Sequence, residues 1–223
     1  MLTIPALLLA ANALAGSDKI VLPQPVPKVG QSVVYTLTID FEAMGQKGAY
    51  NGTVKRTVTS VGEDGSTEIE SATEGQKISI GGGEQELPDA KETVRTDPEG
   101  RPLERDTFEN SLSECLAAFV RVRMPKEGAE VGHTWKFDMK GDDRFGELTA
   151  TVEGKQEFAG RECVAIKVAY TSKAGNLAKG STYFVASNGV LAGLVMSFED
   201  LELGPGLPVP GTAKMTLKSL EGF

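Results

Sequence analysis

Apolar and polar residues alternate with a period of two through much of this chain, and glycine or proline cuts each run short. A period of two sends neighbouring side chains to opposite faces of an extended strand. Val33, Tyr35, Leu37, Ile39 and Phe41 alternate with Val34, Thr36, Thr38 and Asp40. Residues 53–61 are rich in Thr and Val, and Glu63-Asp64-Gly65-Ser66 turns them back into 67–71. Residues 91–96 lead to the turn signal Asp97-Pro98-Glu99-Gly100, then to 102–105. With 26 Gly and 11 Pro placed between such runs, the chain reads as many strands joined by tight turns.

The second half follows the same scheme. Trp135, Phe137 and Met139 share one face. Leu148, Ala150 and Val152 alternate with Glu and Thr, and Val164, Ile166, Val168 and Tyr170 line one side of the next run. Residues 181–186 reach the hairpin signal Ser187-Asn188-Gly189; runs 190–198 and 213–220 complete the series. One helix stands out between the halves, over residues 111–123. Ser111-Leu112-Ser113-Glu114 fits a capping box, in which the Ser hydroxyl takes a free amide and the Glu reaches back. Leu112, Cys115, Leu116, Phe119 and Val120 then fall on one helical face, and Pro125 marks the exit. The expected fold is mainly β: a large curved antiparallel sheet, a half-barrel of about a dozen strands, with one central helix on its concave face.

Lys28-Val29-Gly30-Gln31-Ser32-Val33 has a counterpart 102 residues later in Glu130-Val131-Gly132-His133-Thr134-Trp135. The expected organisation is a spacer over 16–28, extended because it carries Pro23, Pro25 and Pro27, then one β domain over 29–223. Within that domain, pseudo-repeats over 29–108 and 130–223 flank the helix. Convergent turn chemistry is the other explanation of the likeness.

Residues 1–15, MLTIPALLLAANALA, are uncharged and end in Ala13-Leu14-Ala15, the small-x-small pattern of a signal-peptidase site. The expectation is an exported protein, periplasmic or extracellular, of bacterial type, cut before Gly16. Ser17 stands where a lipobox needs Cys, so no lipid anchor is expected, and no other run is long enough to span a bilayer. In an oxidising compartment Cys115 and Cys163 suggest a disulfide. Cys163 shares strand parity with Ala165 and Ala169, and such small residues would let a helix lie close. The bond would close a loop of about fifty residues, worth ~3–4 kcal/mol. Two free buried thiols are the alternative.

The formal net charge is −8, which disfavours nucleic-acid binding. Reactive constellations are sparse. His133, the single histidine, occupies a strand-entry turn where its counterpart is Gln31. Asp142-Asp143 reads as a solvated hairpin tip, and Gly81-Gly82-Gly83 as a flexible turn without the Lys-Ser/Thr of a phosphate loop. Two Cys and one His at scattered positions lack metal-ligand spacing. No catalytic residue, metal or cofactor is expected.

Pro125, Val131-Gly132 and Trp135 form a pattern of Pro, a spacer, Val-Gly, two residues and Trp. It resembles a stretch in bacterial exported proteins of unknown function. Those resemble, at fold level, the periplasmic lipoprotein-carrier and lipoprotein-receptor half-barrels of the Lol type. The resemblance implies a curved sheet wrapped around helices, with an apolar cavity for acyl chains. This chain has one clear helix where the carriers have more, and no ligand residues transfer. The expected role is a non-enzymatic binding module for an apolar or amphiphilic, lipid-like or lipidated ligand; the alternative is a cell-envelope structural or interaction protein without a pocket. Residues 204–211, GPGLPVPG, are apolar yet proline-broken. They read as a crossover unable to pair in a sheet, or as a lip over a cavity. In the second case Leu207 and Val209 would face the ligand beside Met196, Phe198 and the helix residues Leu116 and Phe119.

Overall fold

Period-two alternation becomes strand throughout the computed structural model, which describes residues 19–98, 103, 111–137, 146–172, 175–202 and 208–222. The leader over 1–15, Gly100, the run 102–105 apart from Leu103, Met139, Asp142-Asp143 and Leu207 lie outside the described residues. Strands β1 (Ser32–Ala43), β2 (Gln46–Val61), β3 (Thr67–Ile80), β4 (Gly83–Glu86) and β5 (Ala90–Thr96) precede helix α1 (Ser111–Arg121). Strands β6 (Thr134–Phe137), β7 (Glu147–Phe158), β8 (Arg161–Thr171), β9 (Leu177–Val185), β10 (Leu191–Glu202) and β11 (Pro208–Glu221) follow it. All join one 11-stranded sheet in the order β4-β3-β2-β1-β11-β10-β9-β8-β7-β6, with β5 also on β3. The architecture is the expected one, an open antiparallel half-barrel with a single helix among the described residues.

Irregularities in pairing bend the sheet. Register shifts occur between Val34 and Tyr35, between Val152 and Gly154, between Leu191 and Gly193, and between Phe198 and Leu201. An extra residue in one strand kinks it and raises its twist, the usual way a sheet curls. Three of these sites carry positive φ, Gly154 at 109°, Gly193 at 149° and Asp200 at 52°.

One rung of the inner face crosses eight strands: Gly48, Phe41, Gly211, Phe198, Ala178, Tyr170, Leu148 and Phe137. Large rings alternate with small residues. A Cβ on Gly48 would run into the Phe41 ring, and one on Gly211 would meet Phe198 Cζ at 2.7 Å. The rings therefore lie over their glycine neighbours, which fills the gap that a missing side chain would leave.

The two Val-Gly turns have the same geometry. Gly30 N donates to Val58 O at 2.9 Å and Val58 N to Gln31 O at 2.9 Å; Gly132 N donates to Val152 O at 2.8 Å and Val152 N to His133 O at 3.0 Å. Gly30 and Gly132 sit at φ 87° and 84°. Each turn thus docks its strand entry onto the following strand. Their surroundings differ: β1 lies between β2 and β11, whereas β6 pairs with β7.

The turn expected at the glycine run is present: Gly81 and Gly82, both at positive φ, form a two-residue hairpin turn between Ile80 and Gly83, and Gly83 opens strand β4. One reading needs correction. Residues 208–211 pair in the sheet: Val209 opposes Leu201, and Gly211 opposes both Phe198 and Phe41. Prolines are admitted there because β1 pairing stops at Gly211. Pro208 and Pro210 therefore have a sheet neighbour on one side only.

Replacing Gly211 by alanine should destabilise the fold by about 1–3 kcal/mol, read as a lower urea midpoint with an unchanged slope. An unaltered midpoint would show that the Phe198 ring does not rest on this backbone.

Candidate functional site

Helix α1 packs against β8, β9 and β10. Its inward residues Leu112, Cys115, Ala118 and Phe119 are buried. Thr182 Oγ1 on β9 donates to Phe119 O at 3.1 Å. At the helix start, Tyr170 donates its hydroxyl to the Glu114 carboxylate and receives Gly146 N at 2.8 Å. Burial foremost, then the Glu114 hydrogen bond, pushes the Tyr170 phenol far above its ordinary value.

The sequence-derived ligand residues largely meet in this packed region. Phe119, Met196, Phe198 and Val209 are 0, 1, 3 and 1% exposed. Leu116 is half-buried at the edge of the core. At these burials a ligand would have to displace packed side chains.

The expected Cys115–Cys163 bond is not formed: both cysteines are free and buried. The reason is strand parity. Ile166 pairs with Thr182, which bonds the helix, so Val164, Ile166, Val168 and Tyr170 face α1. Cys163 pairs with Val185 and Ala165 with Tyr183, on the opposite face. There the stacked rings of Tyr183 and Phe158, 4.1 Å apart, lie across the sheet from the helix. The sheet backbone thus separates the two sulfurs. Burial, with the Glu114 charge second, pushes the Cys115 thiol up to about 12.

Away from α1 the inner face loosens. Leu194 on β10 and Ala213 on β11 are buried. On β1, Tyr35 and Ile39 remain buried, but Val33 and Leu37 are only half-buried. On β2 and β3, Tyr50, Val54 and Ile78 are half-buried as well. Ile39 pairs with Tyr50, which pairs with Ile78, and Tyr35 pairs with Val54, so these side chains share the inner face. The result is an apolar trough over the first three strands.

Basic residues stand at one end of the trough. Arg56 pairs with Val33 and Ser71, which puts it on the inner face two residues beyond Val54. Arg123, just past the helix, donates from Nη1 to Val120 O and Val122 O, both at 2.9 Å. Tyr35 donates to Leu191 O at 3.2 Å, and both arginine charges reach it. Burial nevertheless dominates and pushes the Tyr35 phenol up to about 12. Burial, then the Arg56 charge, pulls Arg123 down to about 10, so it stays cationic at neutral pH. Sequence reasoning passed over Arg56; its signal was a cation at core parity between Val54 and Val58.

A groove of about 610 Å³ has a mixed lining: the charged residues Asp40, Glu42, Lys47, Lys179 and Glu199 stand beside Leu177 and the rung residues Phe41, Gly48, Phe198 and Gly211. His133 is exposed in its turn and stacks on Trp135 at 6.0 Å. Among the described residues no group of His, Cys, Asp and Glu is arranged to hold a metal. No helix there is long and apolar enough to cross a membrane.

No protein-family model and no curated protein matches the chain. Solved structures give weak likenesses. Lipovitellin, solved for its lipid–protein interactions, aligns over 87% of this chain at 10% identity and a TM-score of 0.47; the chain spans 26% of that protein's length. A β-barrel-like protein of the domain of unknown function DUF1849 from Brucella abortus aligns over 87% of this chain and 98% of its own, at 17% identity and a TM-score of 0.33. A putative outer membrane lipoprotein-sorting protein domain from Vibrio parahaemolyticus aligns over 87% of both chains, at 8% identity and a TM-score of 0.23.

Two measurements check this geometry. Thiol titration of the unfolded, unreduced protein should find two free thiols; none would mean a disulfide and a different helix seat. Alkaline titration should show Tyr35, Tyr50 and Tyr170 keeping their protons beyond the ordinary value of 10.0. Between that value and about 12 the unfolded chain has released protons that the folded one retains. These tyrosines therefore favour unfolding increasingly as pH rises through that window. The tyrosinate absorbance of these three should appear late; their full ionisation near pH 10 in the folded protein would contradict the burial.

Proposed function

We propose that the chain is an exported, non-enzymatic binding module for an apolar or amphiphilic ligand of lipid type, held in the trough over β1, β2 and β3. The supporting observation is the half-buried apolar row Val33, Leu37, Tyr50, Val54 and Ile78 on the inner face of a curved sheet. A concave apolar lining with a few convergent polar groups is the usual form of a small-molecule site. This places the ligand beside the helix-covered core of Phe119, Met196, Phe198 and Val209, not within it. Leu116, half-buried at the core margin, and Leu207, outside the described residues, remain candidates.

A second reading is a cell-envelope interaction protein. It is favoured by Met44, which is 88% exposed at φ 53° on the tip of the β1–β2 hairpin. Met44 and Gly45, both at positive φ, are the two central residues of the hairpin turn, which holds the apolar Met44 side chain out to solvent.

The test is titration with a neutral naphthylamine dye that fluoresces in apolar surroundings. Saturable binding is expected, and Leu37→Glu should weaken it about tenfold or more while circular dichroism stays unchanged. A charge in the trough must be desolvated by an apolar ligand. Absence of saturable binding, or binding indifferent to Leu37→Glu but lost in Met196→Ala, would contradict the assignment.

A further inference from the structure

Arg56 forms no hydrogen bond or ion pair with any described residue, although it sits half-buried on the inner face in a rung with Val33, Ser71 and Glu92. Arg123 spends both Nη1 protons on the helix carbonyls of Val120 and Val122, which leaves Nε and Nη2 unbonded to described residues. Both charges act on Tyr35, whose hydroxyl is itself committed to Leu191 O. No described carboxylate pairs with either guanidinium, in a chain whose net charge is −8. Two like charges brought together at the rim of a low-dielectric trough repel each other and lose hydration. Such a placement is unfavourable for folding alone and favourable once an anion arrives.

We propose that Arg56 and Arg123 form a subsite for the anionic head, a carboxylate or phosphate, of an amphiphile whose apolar tail lies along Leu37, Val54 and Tyr50. This rests on the trough reading above and adds the charge class of its ligand. Guanidinium suits the role because it stays charged and offers paired donors to two oxygens of one anion. The carbonyls of Val120 and Val122 hold Arg123 in place, so less side-chain freedom is lost when the anion binds. From Arg56 to Tyr50 the strand runs six residues, about 20 Å of floor, with the charge at one end only. An amphiphile would therefore lie in one direction, head beside the helix C-terminus and tail toward the β1–β2 hairpin.

The experiment compares dodecyl phosphate, dodecyl maltoside and inorganic phosphate by calorimetry on the whole protein. Dodecyl phosphate should bind about tenfold or more tightly than dodecyl maltoside, and Arg56→Gln should remove that preference while leaving the maltoside affinity unchanged. Arg56→Lys should restore part of it, which separates charge from packing. Equal affinity for both amphiphiles, untouched by Arg56→Gln, would overturn the anion subsite while leaving the trough intact. Inorganic phosphate binding as tightly as dodecyl phosphate would also overturn it, since the tail would then contribute nothing. Failure of both amphiphiles to bind would sink the trough reading as well.

Discussion

A mismatch of area governs this molecule. An 11-residue helix is about 16 Å long and, with side chains, about 10–12 Å across. Strands lie ~4.8 Å apart, so such a helix shields two or three of them. The sheet has 11 strands, and the apolar inner parity runs from β7 through β11 and β1 into β2. Helix α1 packs on β8, β9 and β10, and residues 122–124 extend that cover: Val122 and Met124 are buried. Past β11 and the buried half of β1, the apolar row continues without equal cover. The trough is what remains when one helix meets a sheet too wide for it.

Where the sheet is covered, its polar groups are matched. Thr182 is bonded to the helix carbonyl of Phe119, Tyr170 to Glu114, and Thr67 to Thr96 at 2.6 Å. Among the described residues no buried side-chain polar atom lacks a partner. The core is therefore ordinary packing, and burying Phe119 alone contributes on the order of 1.5–3 kcal/mol. Arg56, half-buried on the same inner face over the first strands, has no such partner among the described residues.

Much of this was legible in the residues. The alternation from Val33 to Phe41 set both the strand and its inner face, and the Ser111–Glu114 start placed the helix to within two residues at its far end. The twin Val-Gly turns announced strand entries that fold alike. What misled was the choice of face. Cys163 and Ala165 on one parity of β8 looked like room for a helix, whereas Val164, Ile166 and Val168 on the other supplied the apolar contact that seats it. Burial of branched aliphatics outweighed close approach, and the disulfide fell with that choice. Pro208 and Pro210 misled for a different reason. Proline excludes a strand only where both sides are paired, and the sequence does not reveal that β1 ends opposite Gly211. Likewise, no local pattern states how deeply Met196 and Phe198 are buried. That outcome depends on how far one helix reaches across strands distant in the chain.

The central claim is that an apolar molecule rests on the first three strands. Its most direct test is methyl-resolved nuclear magnetic resonance with a nitroxide-bearing alkyl probe. The account predicts distance-dependent broadening of the Leu37, Val54 and Ile78 methyl signals, with those of Leu194, Met196 and Val209 spared. Broadening centred on Met196 and Val209, or none at all, would contradict it.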